Sequence, residues 1–151
     1  MKTRNVAGAV GLLMAIGLLQ ACATVPQTRE YINPRTAADT DRTPLSGAVR
    51  VGDTLYLSGA LGLENGQVPD DPADEVRNIM NSIKGNVEAA GMTMDDIVFV
   101  QIFCSDTSHY QAFNDVYRTY FTREYPARAF IGSGTLLANA RFEVQAIAAK
   151  R

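Results

Sequence analysis

The sequence predicts an α+β fold in which two helices cover one face of a mixed β-sheet, in the order β-β-α-β-α-β-β. Two segments, 76–90 and 113–121, place apolar residues at helical spacing and predict the helices. Runs rich in β-branched and aromatic residues surround them and predict strands at 48–51, 54–58, 97–104, 127–132 and 141–149. With 151 residues, 46% hydrophobic and 20% charged, the chain can form one globular domain.

The first two strands are predicted to form a hairpin, because the turn residues Gly52 and Asp53 lie between them. Residues 59–71 are rich in glycine and proline and are predicted to be a loop. Asp71 and Pro72 then begin the first helix. Its apolar stripe consists of Val76, Ile79, Met80, Ile83, Val87 and Ala90, and Gly91 is the expected stop.

The third strand, 97–104, is nearly all apolar, which is typical of a central strand buried on both faces. Cys104 at its end is predicted to be a buried thiol rather than a nucleophile. Asp106, Thr107 or Ser108 can cap the second helix, which is expected to end before Pro126.

Alternation along the last strand assigns its residues to two faces. One set is predicted to face the helices: Phe142, Val144, Ala146 and Ala148. The other set lies on the opposite face: Arg141, Glu143, Gln145 and Ile147. Since that second set is mixed in character, the opposite face can be either a wet surface or an oligomeric interface.

The N-terminal residues predict export rather than a part of the fold. Lys2 and Arg4 precede an apolar run, Val6–Leu19, that is short for a membrane span but typical of a signal peptide. The run ends in Leu19-Gln20-Ala21-Cys22, which resembles a bacterial lipobox. The alternative is an ordinary apolar helix with a chance cysteine.

That resemblance implies three parts of the chain: a signal peptide at 1–21, a lipidated Cys22 with a flexible tether at 22–42, and a folded domain at 43–151. The protein would then be an exported lipoprotein on the periplasmic side of the envelope. Ala23, a non-Asp residue after the cysteine, resembles an outer-membrane sorting signal, and the choice between inner and outer membrane stays open.

The charge balance disfavours nucleic acid as a partner. Removal of residues 1–21 would take Lys2 and Arg4 from the 14 basic residues and none of the 16 acidic ones, so the net charge would fall from −2 to about −4. Binding to phosphates needs clustered cations. The single histidine, His109, is predicted to be a surface residue rather than a base.

Arg128, after Pro126, and Glu143, on an alternating strand, are the candidate catalytic pair. If both side chains face one cleft, the guanidinium can bind a substrate carboxylate and the glutamate can orient water. Adjacent antiparallel strands would make this convergence plausible. The alternative is a cross-strand salt bridge on an exposed sheet, which contributes little stability.

Several short segments, in their order and spacing, resemble the Rid family of enamine and imine deaminases over 45–151. They are Ser58-Gly59, Val87-Glu88-Ala89-Ala90-Gly91, Asp96-Ile97-Val98, Tyr125-Pro126-Ala127-Arg128 and Glu143-Val144-Gln145-Ala146-Ile147-Ala148. The resemblance implies a chorismate-mutase-like fold and a homotrimer with a site in each subunit cleft.

The same resemblance implies hydrolysis of 2-imino acids to 2-keto acids and ammonia without metal or organic cofactor. Arg128 would bind the carboxylate, Glu143 would position water, and Ser58 and Gly59 would line the pocket. Leu45 stands where the family often has tyrosine. Phe130 stands where close relatives often have cysteine, and both differences imply a different substrate side chain.

Two other functions are weighed beside this one. A non-catalytic trimeric binding protein for a small carboxylate would need Arg128 but would have no use for a water-orienting Glu143. RNA cleavage is attached by name to some relatives, and the acidity and predicted export of this chain disfavour it.

Overall fold

The structure is a computed structural model that describes residues 27–39 and 43–150. The predicted lipobox and its lipidation site, Cys22, lie outside these residues. Within the described ranges, no helix is long and apolar enough to cross a membrane.

The predicted α+β fold is confirmed. The strands are β1 (Arg29–Ile32), β2 (Ala48–Val51), β3 (Thr54–Leu57), β4 (Ala60–Leu61), β5 (Ile97–Cys104), β6 (Ala127–Gly132) and β7 (Phe142–Ala149). The helices are α1 (Pro72–Ala89) and α2 (Tyr110–Tyr117). The sheet order is β1-β2-β3-β7-β5-β6, with β4 also pairing with β7. Only β5 and β6 are parallel, since α2 connects them as a crossover.

The segment predicted to be a tether, 22–42, contains an ordered strand. β1 pairs antiparallel with β2, from Arg29 opposite Val51 to Ile32 opposite Ala48. Of its four residues only Ile32 is buried, so the sequence shows no alternation that could have revealed the strand. Likewise, the predicted loop at 59–71 contains the two-residue strand β4.

Helix α1 forms where predicted, from its cap to its stop. The Asp71 carboxylate accepts a hydrogen bond from the backbone N–H of Ala73, which satisfies one free donor of the first turn. Its apolar stripe is buried against the sheet. Gly91 ends the helix at a φ of +69°, a left-handed conformation that glycine adopts without strain.

The helices cover only one face of the sheet. Phe142, Val144, Ala146 and Ala148 face them and are at most 1% exposed, as the alternation of β7 predicts. In β5, however, Phe99, Gln101 and Phe103 are only partly buried. The prediction that β5 is buried on both faces is therefore wrong for the single chain. Cys104, at its end, is fully buried, and burial raises the pKa of its thiol.

The face opposite the helices, called here the open face, carries an apolar row across the sheet. Pairing aligns Val49, Tyr56, Ile147, Phe99 and Ala127 side by side. Tyr56 is 51% exposed, although it is flanked by apolar neighbours. A row of this kind on one face of a sheet is suited to contact with another surface.

Arg141 departs from its predicted place on the open face. Its Nη1 lies 2.9 Å from Oε2 of Glu75, a fully buried carboxylate on α1. The other oxygen of Glu75 accepts backbone N–H groups from Arg141 and Phe142, at 2.8 and 3.1 Å. Arg141 precedes the first residue of β7, so strand alternation does not govern its direction.

Candidate functional site

Arg128 lies on β6, the edge strand, and faces the helix side of the sheet. Its Nη1 donates a hydrogen bond to Oδ1 of Asn114 on α2, at 2.8 Å. Its Nη2 lies 3.4 Å from the hydroxyl of Tyr110. The guanidinium carbon sits 4.9 Å from the centre of the Tyr117 ring, a cation–π distance. Helix α2 therefore orients the guanidinium from two sides.

A cleft of about 360 Å³ opens beside this arginine. We call it the arginine cleft, and its walls are Tyr110, Asn114, Tyr117, Arg118, Tyr125, Pro126 and Arg128. The two guanidinium groups are set among the rings of three tyrosines. Such a site favours an anion attached to an apolar body.

Phe130 lies on the same face of β6, two residues along. Its ring packs edge-on against Tyr110 at 4.9 Å and against Phe113 at 5.6 Å between ring centres. The ring is partly buried against the core and is not part of the cleft wall. In the single chain the Phe130 ring therefore packs against Tyr110, which lines the cleft.

Glu143 lies on β7 and points to the open face, between the buried residues Phe142 and Val144. Its backbone pairs with Leu61 of β4 and with Phe103 of β5. The carboxylate makes no hydrogen bond or ion pair that the structure records within 27–39 and 43–150. It is thus positioned by the sheet and available to a ligand.

Gly59 packs directly against this carboxylate. A Cβ at position 59 would overlap Oε1 of Glu143, so a larger residue there would push the carboxylate aside. Ser58 holds the same segment in place, since its hydroxyl donates to the carbonyl of Ser46 at 2.7 Å. The Ser58 hydroxyl is engaged within the chain, and the backbone of the segment is what lies beside the glutamate.

A second cleft, of about 870 Å³, surrounds Glu143. We call it the glutamate cleft. Its walls include four of the residues singled out from sequence, Leu45, Ser58, Gly59 and Glu143. Leu45 is 38% exposed and gives this cleft an apolar side.

Within one chain, Arg128 and Glu143 do not converge. β5 separates β6 from β7 in the sheet, and the two side chains point to opposite faces. The strand adjacency that would have made convergence plausible does not occur, and a cross-strand salt bridge between the two residues does not form within one chain. Each residue instead lines a cleft of its own.

Other polar groups add little catalytic capacity to the described residues. His109 is half-buried, with its ring 6.0 Å from that of Phe142, and lines neither cleft. No group of three or more histidine, cysteine or carboxylate side chains suited to a metal occurs in 27–39 and 43–150. The two clefts thus offer a guanidinium that can bind an anion and a carboxylate that can accept a proton.

Sequence reasoning missed four residues of the arginine cleft, Tyr110, Asn114, Tyr117 and Arg118. Tyr117 belongs to the apolar stripe of α2, so its periodicity indicated only core packing. Tyr110 and Asn114 are polar or exposed positions of the same helix, and a short helix carries no spacing that distinguishes binding residues from surface residues. Only the parallel pairing of β5 with β6 brings α2 over Arg128.

Comparison with known proteins identifies relatives of this chain. A family model described as endoribonuclease L-PSP matches residues 36–150. The protein of Dermatophagoides farinae named 2-iminobutanoate/2-iminopropanoate deaminase is 39% identical over 107 residues, which cover 69% of this chain and 84% of the relative. The protein HMF1 of Saccharomyces cerevisiae is 34% identical over 108 residues, covering 70% of this chain and 84% of that protein.

Solved structures are also similar to this chain over most of its length. E. coli TdcF with bound serine has a TM-score of 0.71 and 25% identity, covering 81% of this chain and 99% of that one. A protein of the Rid family from Yersinia pestis has a TM-score of 0.71 and 28% identity, with coverage of 81% and 99%. With the family model matching most of its length, the chain belongs to the endoribonuclease L-PSP family, also called the Rid family.

Proposed function

We propose that this protein hydrolyses reactive 2-imino and enamine acids to 2-keto acids and ammonia. Its sites would form between the chains of a homotrimer, with Arg128 supplied by one chain and Glu143 by the next. The relatives named 2-iminobutanoate/2-iminopropanoate deaminase support the reaction class.

The observation that carries this proposal is that Arg128 and Glu143 lie in separate clefts of one chain. Arg128 is oriented for an anion by Asn114 and Tyr110, and Glu143 presents a carboxylate to a cleft lined by Gly59. Neither half can hold and hydrolyse an imino acid alone, because each lacks the group that the other contains. A second chain that brings the two clefts together completes the site.

The chemistry suits so sparse a site, because the carbon of a protonated imine is already electrophilic. Arg128 holds the carboxylate with parallel hydrogen bonds. Glu143 accepts a proton from water as the water oxygen bonds to the imine carbon and the C=N π electrons move to nitrogen. Return of that proton from Glu143 to nitrogen makes ammonia the leaving group. The C–N bond then breaks as the carbinolamine hydroxyl gives its proton to Glu143 and the C=O bond forms, releasing ammonia and the keto acid.

The open face supports assembly. Tyr56, Ile147 and Phe99 form an apolar row that the helices of the same chain do not cover. A homotrimer that packs three such faces together would remove this surface from water, at about 25 cal/mol per Å² of apolar area. The net charge of the chain, −2, disfavours nucleic acid as the partner of this face.

The proposed location follows from the N-terminal residues. Lys2, the apolar run Val6–Leu19 and Cys22 in lipobox context favour an exported protein anchored by lipid at Cys22. An exported enzyme cannot protect cytoplasmic pathways, so its substrate must arise outside the cytoplasm. An exported oxidase or dehydratase acting on amino acids would supply such imines.

The experiment generates imino acids in situ with an amino-acid oxidase and follows keto-acid formation in competition with a semicarbazide trap. The purified protein should divert imines from the trap, and a rate equal to the blank for every side chain tested would rule the reaction out. Arg128→Ala should abolish activity. Glu143→Gln should lower turnover about a hundredfold or more while the protein still binds 2-oxobutanoate.

The same measurements separate the enzyme from a binding protein that takes a small carboxylate. Binding of 2-oxobutanoate that depends on Arg128, without any turnover, would favour the binding protein. Equal activity of Arg128→Ala, Glu143→Gln and the unaltered protein would refute both assigned roles.

A further inference from the structure

The hydroxyl of Tyr117 is a buried polar group without a hydrogen-bond partner in the described part of the chain. The residue is only 4% exposed. Burying a hydroxyl without a hydrogen bond is unfavourable, and native proteins avoid it except where a group has a use. The neighbouring tyrosine of the same segment shows the usual outcome, because the Tyr120 hydroxyl lies 2.9 Å from Oδ1 of Asn81.

The side chain that carries this buried hydroxyl lines the arginine cleft. The guanidinium of Arg128 lies 4.9 Å from the centre of the Tyr117 ring, and the ring of Tyr125 stacks beside it at 6.4 Å and 27°. The charge of Arg128 is close enough to act on the phenol, as is the hydroxyl of Tyr125. The Tyr117 side chain thus lines the cleft in which an anion on Arg128 would sit, and its phenol is within electrostatic reach of the guanidinium.

The hydroxyl keeps its proton at every physiological pH. Burial raises the pKa of Tyr117 to about 12, although the charge of Arg128 acts in the opposite direction. A neutral phenol beside a cation can donate to an anion, whereas a phenolate would repel it. The electrostatics of the cleft thus define a donor rather than an acceptor.

We propose that the hydroxyl of Tyr117 donates a hydrogen bond to the substrate carboxylate that Arg128 binds. This inference rests on the proposed role of Arg128 and adds a second donor to it. The carboxylate accepts hydrogen bonds from the guanidinium on one side and from the phenol on the other. These bonds fix the orientation of the carboxylate plane. Asn114 and Tyr110 contact the guanidinium, at 2.8 and 3.4 Å. The phenol of Tyr117 has no such partner in the described residues, and the ligand carboxylate supplies one.

Tyr117→Phe isolates this contact, because it removes one oxygen and keeps the ring beneath Arg128. Loss of a hydrogen bond to a charged group weakens binding by about tenfold. The free protein loses nothing, since the hydroxyl has no partner there, so its Tm should be unchanged or higher. Tyr120→Phe is the matched control, because it removes a hydroxyl from the same segment outside both clefts.

The test measures the Kd for 2-oxobutanoate, its methyl ester and 2-oxo-3-phenylpropanoate by calorimetry, together with Tm and molar mass in solution. We expect Tyr117→Phe to weaken both free acids by about tenfold, to leave the affinity for the ester unchanged, and to keep Tm and mass. Tyr120→Phe should bind all three ligands as the unaltered protein does.

Three results would overturn the inference. Unchanged acid binding by Tyr117→Phe, beside loss of binding by Arg128→Ala, would remove Tyr117 from the site and leave the proposed function intact. A lower Tm or a smaller assembly for Tyr117→Phe would show that the hydroxyl is bonded within the assembled protein. Equal acid binding by Arg128→Ala and the unaltered protein would remove the role of Arg128, and the role of Tyr117 with it.

Discussion

Gly59 packs against the carboxylate of Glu143, so a larger residue at this position would displace that carboxylate. A Cβ at position 59 would overlap Oε1 of Glu143. The contact fixes one side of the carboxylate, and β5 and β4 hold its backbone from both directions. The glutamate is thereby placed by backbone geometry rather than by a hydrogen-bonded partner.

Gly59→Ala should displace the Glu143 carboxylate and lower kcat by about ten- to a hundredfold, because a shift near 1 Å is enough to misplace a proton acceptor. Steady-state rates with imines made in situ measure this effect. Gly85→Ala is the control, since nothing lies within 4 Å of a Cβ there. That change should stabilise α1 by about 0.5–1 kcal/mol and keep full activity. Full activity in Gly59→Ala would contradict the role given to the contact.

Glu75 and Arg141 should contribute strongly to stability. Glu75 is fully buried and holds Arg141 as well as the backbone that begins β7. Glu75→Ala leaves two backbone N–H groups unpaired and removes the counter-charge of Arg141, whose guanidinium keeps only the carbonyls of Pro69 and Asp70, and should cost about 3–5 kcal/mol in urea unfolding. Glu75→Gln keeps an acceptor for the backbone and should cost less.

The surface pair of Lys84 and Glu88, 3.7 Å apart, provides the comparison. Both side chains are about half exposed, so solvent screens the pair, and Glu88→Ala should cost at most about 0.5 kcal/mol. A loss of less than 1 kcal/mol in Glu75→Ala would mean that the buried carboxylate is not a structural link.

Tyr56 should lie within the proposed trimer. Tyr56→Asp places a charge in the apolar row beside Ile147, and we expect this variant to be monomeric in light scattering and inactive, because its half-sites are no longer joined. Lys84→Glu changes charge on α1, away from the open face, and should remain trimeric. A trimeric and active Tyr56→Asp variant would place the interface elsewhere.

Local sequence patterns were sufficient for the elements that carry long apolar periodicity. α1 is recognisable because a capping aspartate, a stripe at helical spacing and a glycine stop all agree. The two faces of β7 follow from alternation alone. β1 gave no such signal, because its residues are mostly exposed and its order comes from pairing with β2.

Sequence patterns could not predict how Arg128 and Glu143 lie relative to each other in the sheet. β7 lies between β3 and β5, so two strands that are consecutive in sequence become non-neighbours in the sheet. Strand order results from long-range pairing, which short motifs do not encode. The unpaired hydroxyl of Tyr117 could not be predicted either. The apolar spacing of α2 indicates that the ring is buried and gives no information about the hydroxyl.

The most direct test of a site shared between chains is complementation. Arg128→Ala and Glu143→Gln, each inactive alone, are denatured, mixed in equal amounts and refolded together. In a random mixed trimer, about one interface in four joins an intact arginine to an intact glutamate, so activity should return to about a quarter of the unaltered level. Mixed assemblies that stay as inactive as the separate variants would contradict a site built from two chains.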